Sequence, residues 1–154
     1  LPVAATLDFD DVSRRAKASG VEICVTRDEI YDVINCCDAI VTCSGTVTLE
    51  IALLGVPTCI VYKTSPLSYM ILSRLVTIPH IGLVNIVARE AVVKELLQAA
   101  ANPDAVAAEL FHMLDDQDYR QQLRAGYDKV RTNLGAGNGA RNMAELVISL
   151  LPEQ

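Results

Sequence analysis

Short apolar stretches alternate with amphipathic stretches along the first two thirds of the chain. The apolar stretches are rich in Val, Ile, Thr and Cys, which favour strands, and the stretches between them carry apolar residues at helical spacing. The predicted strands are residues 1–6, 21–26, 38–43, 58–62 and 80–87. The predicted helices between them are residues 8–19, 28–37, 46–54 and 66–75. This alternation indicates right-handed βαβ units and a parallel sheet covered on both faces.

From Asn102 onward the pattern is helical only. Three helices are predicted, over residues 103–114, 117–134 and 140–151. The sequence therefore predicts one α/β domain over residues 1–154, a Rossmann-like parallel sheet with a helical tail over residues 102–154. One side of the last helix is apolar and must be buried against something. Its members are Met143, Leu146, Val147, Leu150 and Leu151.

Composition narrows the function classes. The 154 residues are 51% hydrophobic and 21% charged, which suits one domain with a full core. A net charge of -6 argues against nucleic acid as a partner, because such binding needs clustered Lys and Arg. The five cysteines are an odd number and most lie in apolar runs, as in reduced cytosolic proteins. With two histidines and no CxxC pair, neither a metal nor another cofactor is expected.

The stretch DAIVTCSGTVTLEIALLGVP, residues 38–57, carries the candidate chemistry. Ser44, Gly45 and Thr46 lie where a predicted strand ends and a helix begins, and ligands bind beyond the carboxyl ends of parallel strands. Gly45 lets the backbone approach a ligand closely, and the free amides of a first helical turn bind anions. The alternative is that Ser44 or Thr46 merely caps the helix.

Glu50 does not fit a capping box, which needs an acid three residues after the cap. The residue three after Ser44 is Val47, and the residue three after Thr46 is Leu49. Glu50 instead lies four residues after Thr46, on the same helix face. A carboxylate at this position would repel a phosphate, but it suits a neutral diol such as a ribose that lies next to phosphates bound at the turn. The alternative is a solvated acid that only stabilises the helix dipole.

The run CDAIVTCSGTVTLEIALLGVPTCIVYKTSPLSYMILSRLV, followed by LVNIVA and VVKELLQ, resembles the C-terminal half of the lipid-A-disaccharide synthase family, glycosyltransferases of the GT-B type. The resemblance covers nearly the whole chain and is strongest over residues 38–98. It implies transfer of 2,3-diacylglucosamine from UDP-2,3-diacylglucosamine to lipid X (2,3-diacylglucosamine 1-phosphate), with release of UDP, in the lipid A biosynthesis of Gram-negative bacteria. This half would bind the UDP moiety of the donor.

The resemblance also implies roles for individual residues. Ser44, Gly45 and Thr46 would meet the diphosphate, Glu50 the ribose, and the backbone near Arg27 the uracil. Further positions would line the cleft or support it, namely Tyr62, Asn85, Glu95 and Gln98. The chain departs from the family pattern at Arg89, which is displaced by one position, and at Lys63, where Arg is common. The catalytic general base is expected in an N-terminal domain outside this chain, so the chain alone should be inactive.

The resemblance implies further partners and a location. The N-terminal domain of the same enzyme would face this half, and the last helix would either fold back or exchange with a second copy to form a homodimer. The protein would be cytoplasmic, with the parent enzyme peripheral at the inner membrane. Two alternatives are another UDP-sugar GT-B enzyme, either an epimerase or the glycosyltransferase that forms lipid II, and a non-catalytic binding or oligomerisation module. The YKTSP and ELLQ segments argue against the first.

Overall fold

The computed structural model describes residues 1–27, 29–65, 79–135 and 137–150. The strands are β1 (Ile40–Cys43), β2 (Thr58–Tyr62) and β3 (Glu95–Leu97). The helices are α1 (Phe9–Ala18), α2 (Ile30–Asn35), α3 (Val47–Leu54), α4 (Leu83–Ala88), α5 (Pro103–Asp115), α6 (Gln117–Leu134) and α7 (Gly139–Ser149). The helix predicted over residues 66–75 lies outside the described residues. None of the helices in the described ranges is both long enough and apolar enough to cross a membrane.

The sheet is parallel, with strand order β1-β2-β3. Ile40 pairs with Thr58, and Ile60 pairs with Glu95. The carboxyl ends of the three strands therefore lie at one edge of the sheet. The last residues of the strands are Cys43, Tyr62 and Leu97. The predicted α/β class with a parallel sheet and flanking helices is confirmed.

The first two predicted strands are wrong. Residues 1–6 and 21–26 form no regular strand and are joined by an isolated parallel bridge between Pro2 and Thr26 and by a hydrogen bond from the Leu1 amino group to the Cys24 carbonyl at 2.8 Å. The Val3 amide donates to the Thr26 carbonyl at 2.9 Å, and the Thr26 amide donates to the Leu1 carbonyl at 3.1 Å. Val21 and Ile23 are exposed, so the apolar run 21–26 has no buried face against which a longer ladder could pack.

The strand predicted over residues 80–87 is also wrong, because Leu83–Ala88 forms helix α4. Gly82 precedes this helix in an extended conformation, and Arg89 ends it at φ 60. The helix is stable in spite of its β-branched residues because Val84 and Ala88 enter the core and the Asn85 side chain is hydrogen-bonded. The third strand is instead the short segment Glu95–Leu97, which was not predicted as a strand.

The predicted helices of the tail are confirmed, and two of them share the core of the sheet. Tyr127 on α6 is fully buried, and its hydroxyl donates to the Val56 carbonyl at 3.1 Å and accepts from the Thr58 amide at 3.2 Å. The Arg131 guanidinium donates to the Leu53 carbonyl at the end of α3, at 2.7 Å. The main cluster of buried apolar residues is Ala52, Cys59, Ile60, Val84, Ala88, Val93, Met113, Leu123, Tyr127 and Val130.

A buried carboxylate attaches α5 to this core. Glu109 is 1% exposed, and it pairs with Lys94 at 3.0 Å and accepts from the Tyr119 hydroxyl at 2.6 Å. Both carboxylate oxygens therefore have partners, as a buried charge requires. Burial and the hydrogen bond to Glu109 raise the pKa of Tyr119, so this hydroxyl stays protonated and remains a donor at neutral pH.

The last helix, α7, contributes nothing to this core. None of its residues is buried in the described part of the chain. Its exposed apolar residues are Met143, Leu146, Val147 and Ile148, with Leu150 just beyond its end. The sequence pattern requires a cover for this face, and the described residues do not provide one. The prediction that the tail folds back on its own domain or exchanges with another copy stays a prediction.

Gly126 provides a test of how closely α6 packs. A Cβ at Gly126 would overlap the side chain of Val92, whereas a Cβ at Gly139 would meet no atom within 4 Å. We expect Gly126→Ala to lower the free energy of unfolding by about 1–3 kcal/mol, although alanine is the better helix former. The matched change Gly139→Ala should be neutral or raise it by up to about 1 kcal/mol. Urea unfolding of both variants measures this, and equal effects would contradict the close packing of α6.

Cys59 should be the slowest of the cysteines to react. It is fully buried in β2, and burial raises the pKa of its thiol from 9.0 to about 11. Because the thiolate is the nucleophile, alkylation at pH 8 should modify the exposed Cys43 long before Cys59, as mass spectrometry would show. Equal modification rates of Cys43 and Cys59 would contradict the burial of Cys59.

The raised pKa of Cys59 also affects stability, because the protonated thiol favours the folded chain. Its contribution to stability is complete below about pH 9 and is lost towards pH 11.

Candidate nucleotide site

The turn formed by Ser44, Gly45 and Thr46 joins β1 to α3 at the carboxyl edge of the sheet. The Ser44 hydroxyl donates to the Ile81 carbonyl at 2.9 Å, which ties the turn to the segment before α4. Thr46 is the N-cap of α3, but its side chain makes no capping hydrogen bond. The alternative reading, in which Ser44 or Thr46 caps the helix through its side chain, is therefore wrong.

The backbone of the turn is open at Gly45. A Cβ placed on Gly45 would meet no atom within 4 Å. The amides of Thr48 and Leu49 donate back to the carbonyls of Gly45 and Thr46, at 3.2 and 3.0 Å. Within the described ranges, no acceptor is found for the amides of Gly45, Thr46 and Val47. Such a group of unpaired amides at a helix start can receive an anion.

Glu50 lies one turn further along α3 and is half-buried. Its neighbours Thr48, Ile51 and Ala52 form the buried side of the helix. No cation or hydrogen-bond donor is paired with the Glu50 carboxylate in the part of the chain that the structure describes. The carboxylate is therefore free to accept hydrogen bonds from a ligand on the face that also carries Thr46.

Asn85 and Glu95 support this edge of the sheet from within. Asn85 is fully buried, and its side-chain oxygen accepts from the amides of Val92 and Val93 at 2.8 and 2.9 Å. Its side-chain nitrogen donates to the Val93 carbonyl and to Glu95, both at 2.8 Å. The Glu95 carboxylate also accepts from the amide of Gly82 at 3.0 Å. The hydrogen-bonding groups of both side chains are therefore occupied by protein partners.

Tyr62 and Gln98 lie at the carboxyl ends of the neighbouring strands. Tyr62 ends β2 and is exposed, while Gln98 follows β3 with a left-handed φ of 51. The Gln98 side-chain oxygen accepts from the Thr64 amide at 3.3 Å, and its side-chain nitrogen is buried with no partner among the described residues. A strained backbone and an unpaired buried donor are typical of functional positions. These two residues share the sheet edge with the turn.

In the described ranges, no contact joins the remaining predicted positions, Arg27, Arg89 and Lys63, to the turn. The Arg27 guanidinium lies 5.1 Å above the centre of the Phe9 ring at the start of α1. Arg89 ends α4, at the opposite end of that helix from Gly82 and the Glu95 carboxylate. Lys63 is exposed just after β2.

Reasoning from the sequence alone missed Ile81 and Gly82. Ile81 accepts the Ser44 hydroxyl, and a Cβ on Gly82 would overlap the Ile60 side chain and lie 3.1 Å from a Glu95 oxygen. Only glycine therefore fits at position 82 without movement of its neighbours. The one local signal is that this Gly directly precedes the helix.

The parallel sheet, its flanking helices and the open turn at its carboxyl edge define a Rossmann-like domain of the kind that forms one half of GT-B glycosyltransferases. The family model described as lipid-A-disaccharide synthetase matches residues 8–149. The chain belongs to this family of glycosyltransferases.

Curated relatives agree with this assignment. The lipid-A-disaccharide synthase of Geobacter sulfurreducens is 48% identical over 154 residues, which is 100% of this chain and 40% of that protein. The synthase of Geobacter metallireducens is 48% identical over 98% of the chain and 39% of its own length. The synthase of Trichlorobacter lovleyi is 46% identical over 99% of the chain and 40% of its own length. The chain therefore spans about 40% of the length of these relatives.

Proposed function

We propose that this chain is the UDP-sugar-binding half of a lipid-A-disaccharide synthase. The complete enzyme would transfer 2,3-diacylglucosamine from UDP-2,3-diacylglucosamine to lipid X and release UDP. The observation that carries the proposal is the open turn at the carboxyl edge of the sheet, where the amides of the turn and the Glu50 carboxylate one helical turn further on have no partner among the described residues. Membership in the family supports the choice of donor.

The diphosphate would lie against the amides of Gly45, Thr46 and Val47. The positive end of the α3 dipole favours an anion at this place, and the effect is local, so it does not require a basic protein. Ser44 would contribute its backbone, because its hydroxyl proton is already donated to Ile81. Glu50 would accept hydrogen bonds from the ribose hydroxyls, which places the sugar beside the phosphates.

The chemistry needs a second half of the enzyme. The acceptor hydroxyl would attack the anomeric carbon of the donor sugar, the bond from that carbon to the diphosphate would break, and UDP would leave with the bonding electrons. A general base would take the proton of the hydroxyl. The amides of the turn would stabilise the negative charge that develops on the leaving diphosphate. We assign the base to an N-terminal domain, so this chain should bind UDP without turning over the donor.

The exposed apolar face of α7 is suited to binding a further partner. Its apolar residues are suited to packing against the N-terminal half or against a second copy of the chain, in which case the tail would be exchanged in a homodimer. Light scattering distinguishes a dimer from a monomer. The enzyme would work in the cytoplasm and at the surface of the inner membrane, where its acylated substrates lie.

Calorimetric titration of the chain with UDP tests the proposal. Saturable heat with UDP and none with ATP at the same concentration is expected, because a uridine nucleotide fits the site and the chain has no P-loop lysine. Absence of saturable UDP binding would contradict the proposal and favour a non-catalytic module. Sustained release of UDP from donor and lipid X by this chain alone would contradict the assignment of the base to another domain.

A further inference from the structure

Three donors converge on the carboxylate of Glu95, the first residue of β3. The amides of Ile81 and Gly82 donate to its two oxygens at 3.0 Å each, and the Asn85 side-chain nitrogen donates at 2.8 Å. No Lys or Arg pairs with this carboxylate among the residues that the structure describes. Its charge is therefore balanced by hydrogen bonds, which are stronger than those to a neutral acceptor.

Ile81 connects this carboxylate to the turn. Its amide donates to Glu95, and its carbonyl accepts the Ser44 hydroxyl at 2.9 Å. The peptide group between Ile81 and Gly82 thus contacts both elements, because its carbonyl accepts from the turn and its amide donates to Glu95 on β3. A movement of Ile81 would therefore change the position of Ser44.

Among the described residues, one side-chain hydrogen bond joins the turn to another part of the chain. It is the bond from the Ser44 hydroxyl to the Ile81 carbonyl. The other side-chain bond at the turn, from the Thr48 hydroxyl to the Gly45 carbonyl at 2.8 Å, remains inside the start of α3. The position of Ile81 therefore contributes, together with the pairing of Cys43 with Val61, to the orientation of the free amides relative to β2 and β3. Small displacements of such donors weaken binding, because their geometry must match the ligand.

We infer that Glu95 is a positioning residue for the turn Ser44–Thr46: it touches no ligand and acts by fixing Ile81, which in turn holds Ser44 and the amides that follow. The inference rests on the proposed function only in its choice of a nucleoside diphosphate as the ligand. The positioning itself is a property of the ligand-free chain and can be measured there.

Glu95→Gln is the direct test. Glutamine keeps the size of the side chain, but one oxygen becomes an amide nitrogen that cannot accept from Ile81 or Gly82. In two-dimensional NMR spectra of the ligand-free chain, we expect the backbone amide resonances of Gly45 and Thr46 to shift. The control is Glu90→Gln, which removes the same charge from an exposed residue paired with Lys129 and should leave both resonances in place. Shifts confined to Ile81 and Gly82 would overturn the inference.

Ser44→Ala tests the same connection from the other end and puts the fold at little risk. Removal of the hydroxyl should shift the amide resonances of Ile81 and Gly82, and unchanged resonances there would overturn the inference. This variant still tests the connection between Ile81 and the turn, on which the inference depends, where Glu95→Gln does not fold.

The affinity for UDP supplies an independent measurement. Glu95→Gln should weaken UDP binding about threefold to tenfold in the wild-type background and have a much smaller effect when Ser44 is already alanine, because both changes cut one connection. Additive losses would mean that Glu95 acts by another route and would overturn the inference. If the wild-type chain binds no UDP, the proposed function fails, and the spectra of the ligand-free variants still decide the positioning role.

Discussion

Asn85→Ala is expected to lower the free energy of unfolding by about 3–5 kcal/mol, a large fraction of the stability of a domain this size. The fully buried side chain pairs with the amides of Val92 and Val93, the Val93 carbonyl and Glu95. Alanine removes the partner of the Val93 amide and of the Val93 carbonyl, and each buried group left unpaired costs about 1–3 kcal/mol. Chemical denaturation followed by circular dichroism measures the loss.

The matched control is Asn133→Ala. The Asn133 side chain also donates to a carbonyl, that of Val87, at 2.8 Å, but it is exposed to solvent. Water can replace this bond, so a loss below about 1 kcal/mol is expected. If the two alanine variants were equally stable, the segment 89–94 would not depend on Asn85, and the support of the sheet edge would have to come from elsewhere.

Glu50→Ala is expected to weaken UDP binding by about tenfold or more, because hydrogen bonds to a charged acceptor contribute about 1.5–3 kcal/mol. The same site should distinguish UDP from 2′-deoxy-UDP in the wild-type chain and lose that distinction in the variant. Isothermal titration calorimetry of the two proteins with the two nucleotides measures all four affinities. The preference for UDP over 2′-deoxy-UDP is calculated for each protein, and the difference in preference between the two proteins isolates the contact between the carboxylate and the ribose.

Glu145→Ala is the control for charge. Glu145 lies exposed on α7 and pairs with Arg141 at 2.8 Å, so its removal changes the net charge by the same amount at a remote place. We expect no change in UDP affinity. A variant at Glu50 that still prefers UDP over its deoxy analogue would show that the carboxylate does not bind the ribose.

The sequence predicted the centre of the fold because its signals there are local. The apolar run that ends at Cys43 forms β1, and Gly55 ends α3 with a left-handed φ of 81. The next predicted strand matches β2 in full, and α6 begins and ends at the predicted residues. Each of these boundaries follows from residues within a few positions of it.

The segments that were predicted wrongly depend on contacts distant in sequence. The run that contains Leu83–Ala88 is rich in residues that favour strands, and it is helical because Asn85 and two core residues find partners beyond the helix. β3 has three residues, too few for periodicity to indicate a strand. Residues 21–26 resemble a strand, but only Thr26 forms a bridge there.

The candidate site also combines features that local sequence predicts with features that depend on contacts distant in sequence. The unpaired amides of the turn follow from a strand end, a glycine and a helix start, all visible in the sequence. The bond from Ser44 to Ile81 joins residues 37 positions apart, and no local pattern indicates it. The hydrogen bond between Asn85 and Glu95 likewise becomes visible only when β3 and α4 are brought together.

A crystal structure of the chain with UDP tests the central claim most directly. We predict diphosphate oxygens within about 3 Å of the amides of Gly45, Thr46 and Val47, and a ribose hydroxyl hydrogen-bonded to the Glu50 carboxylate. A diphosphate bound away from this turn, or a ribose with no contact to Glu50, would contradict the assignment of this sheet edge as the nucleotide site.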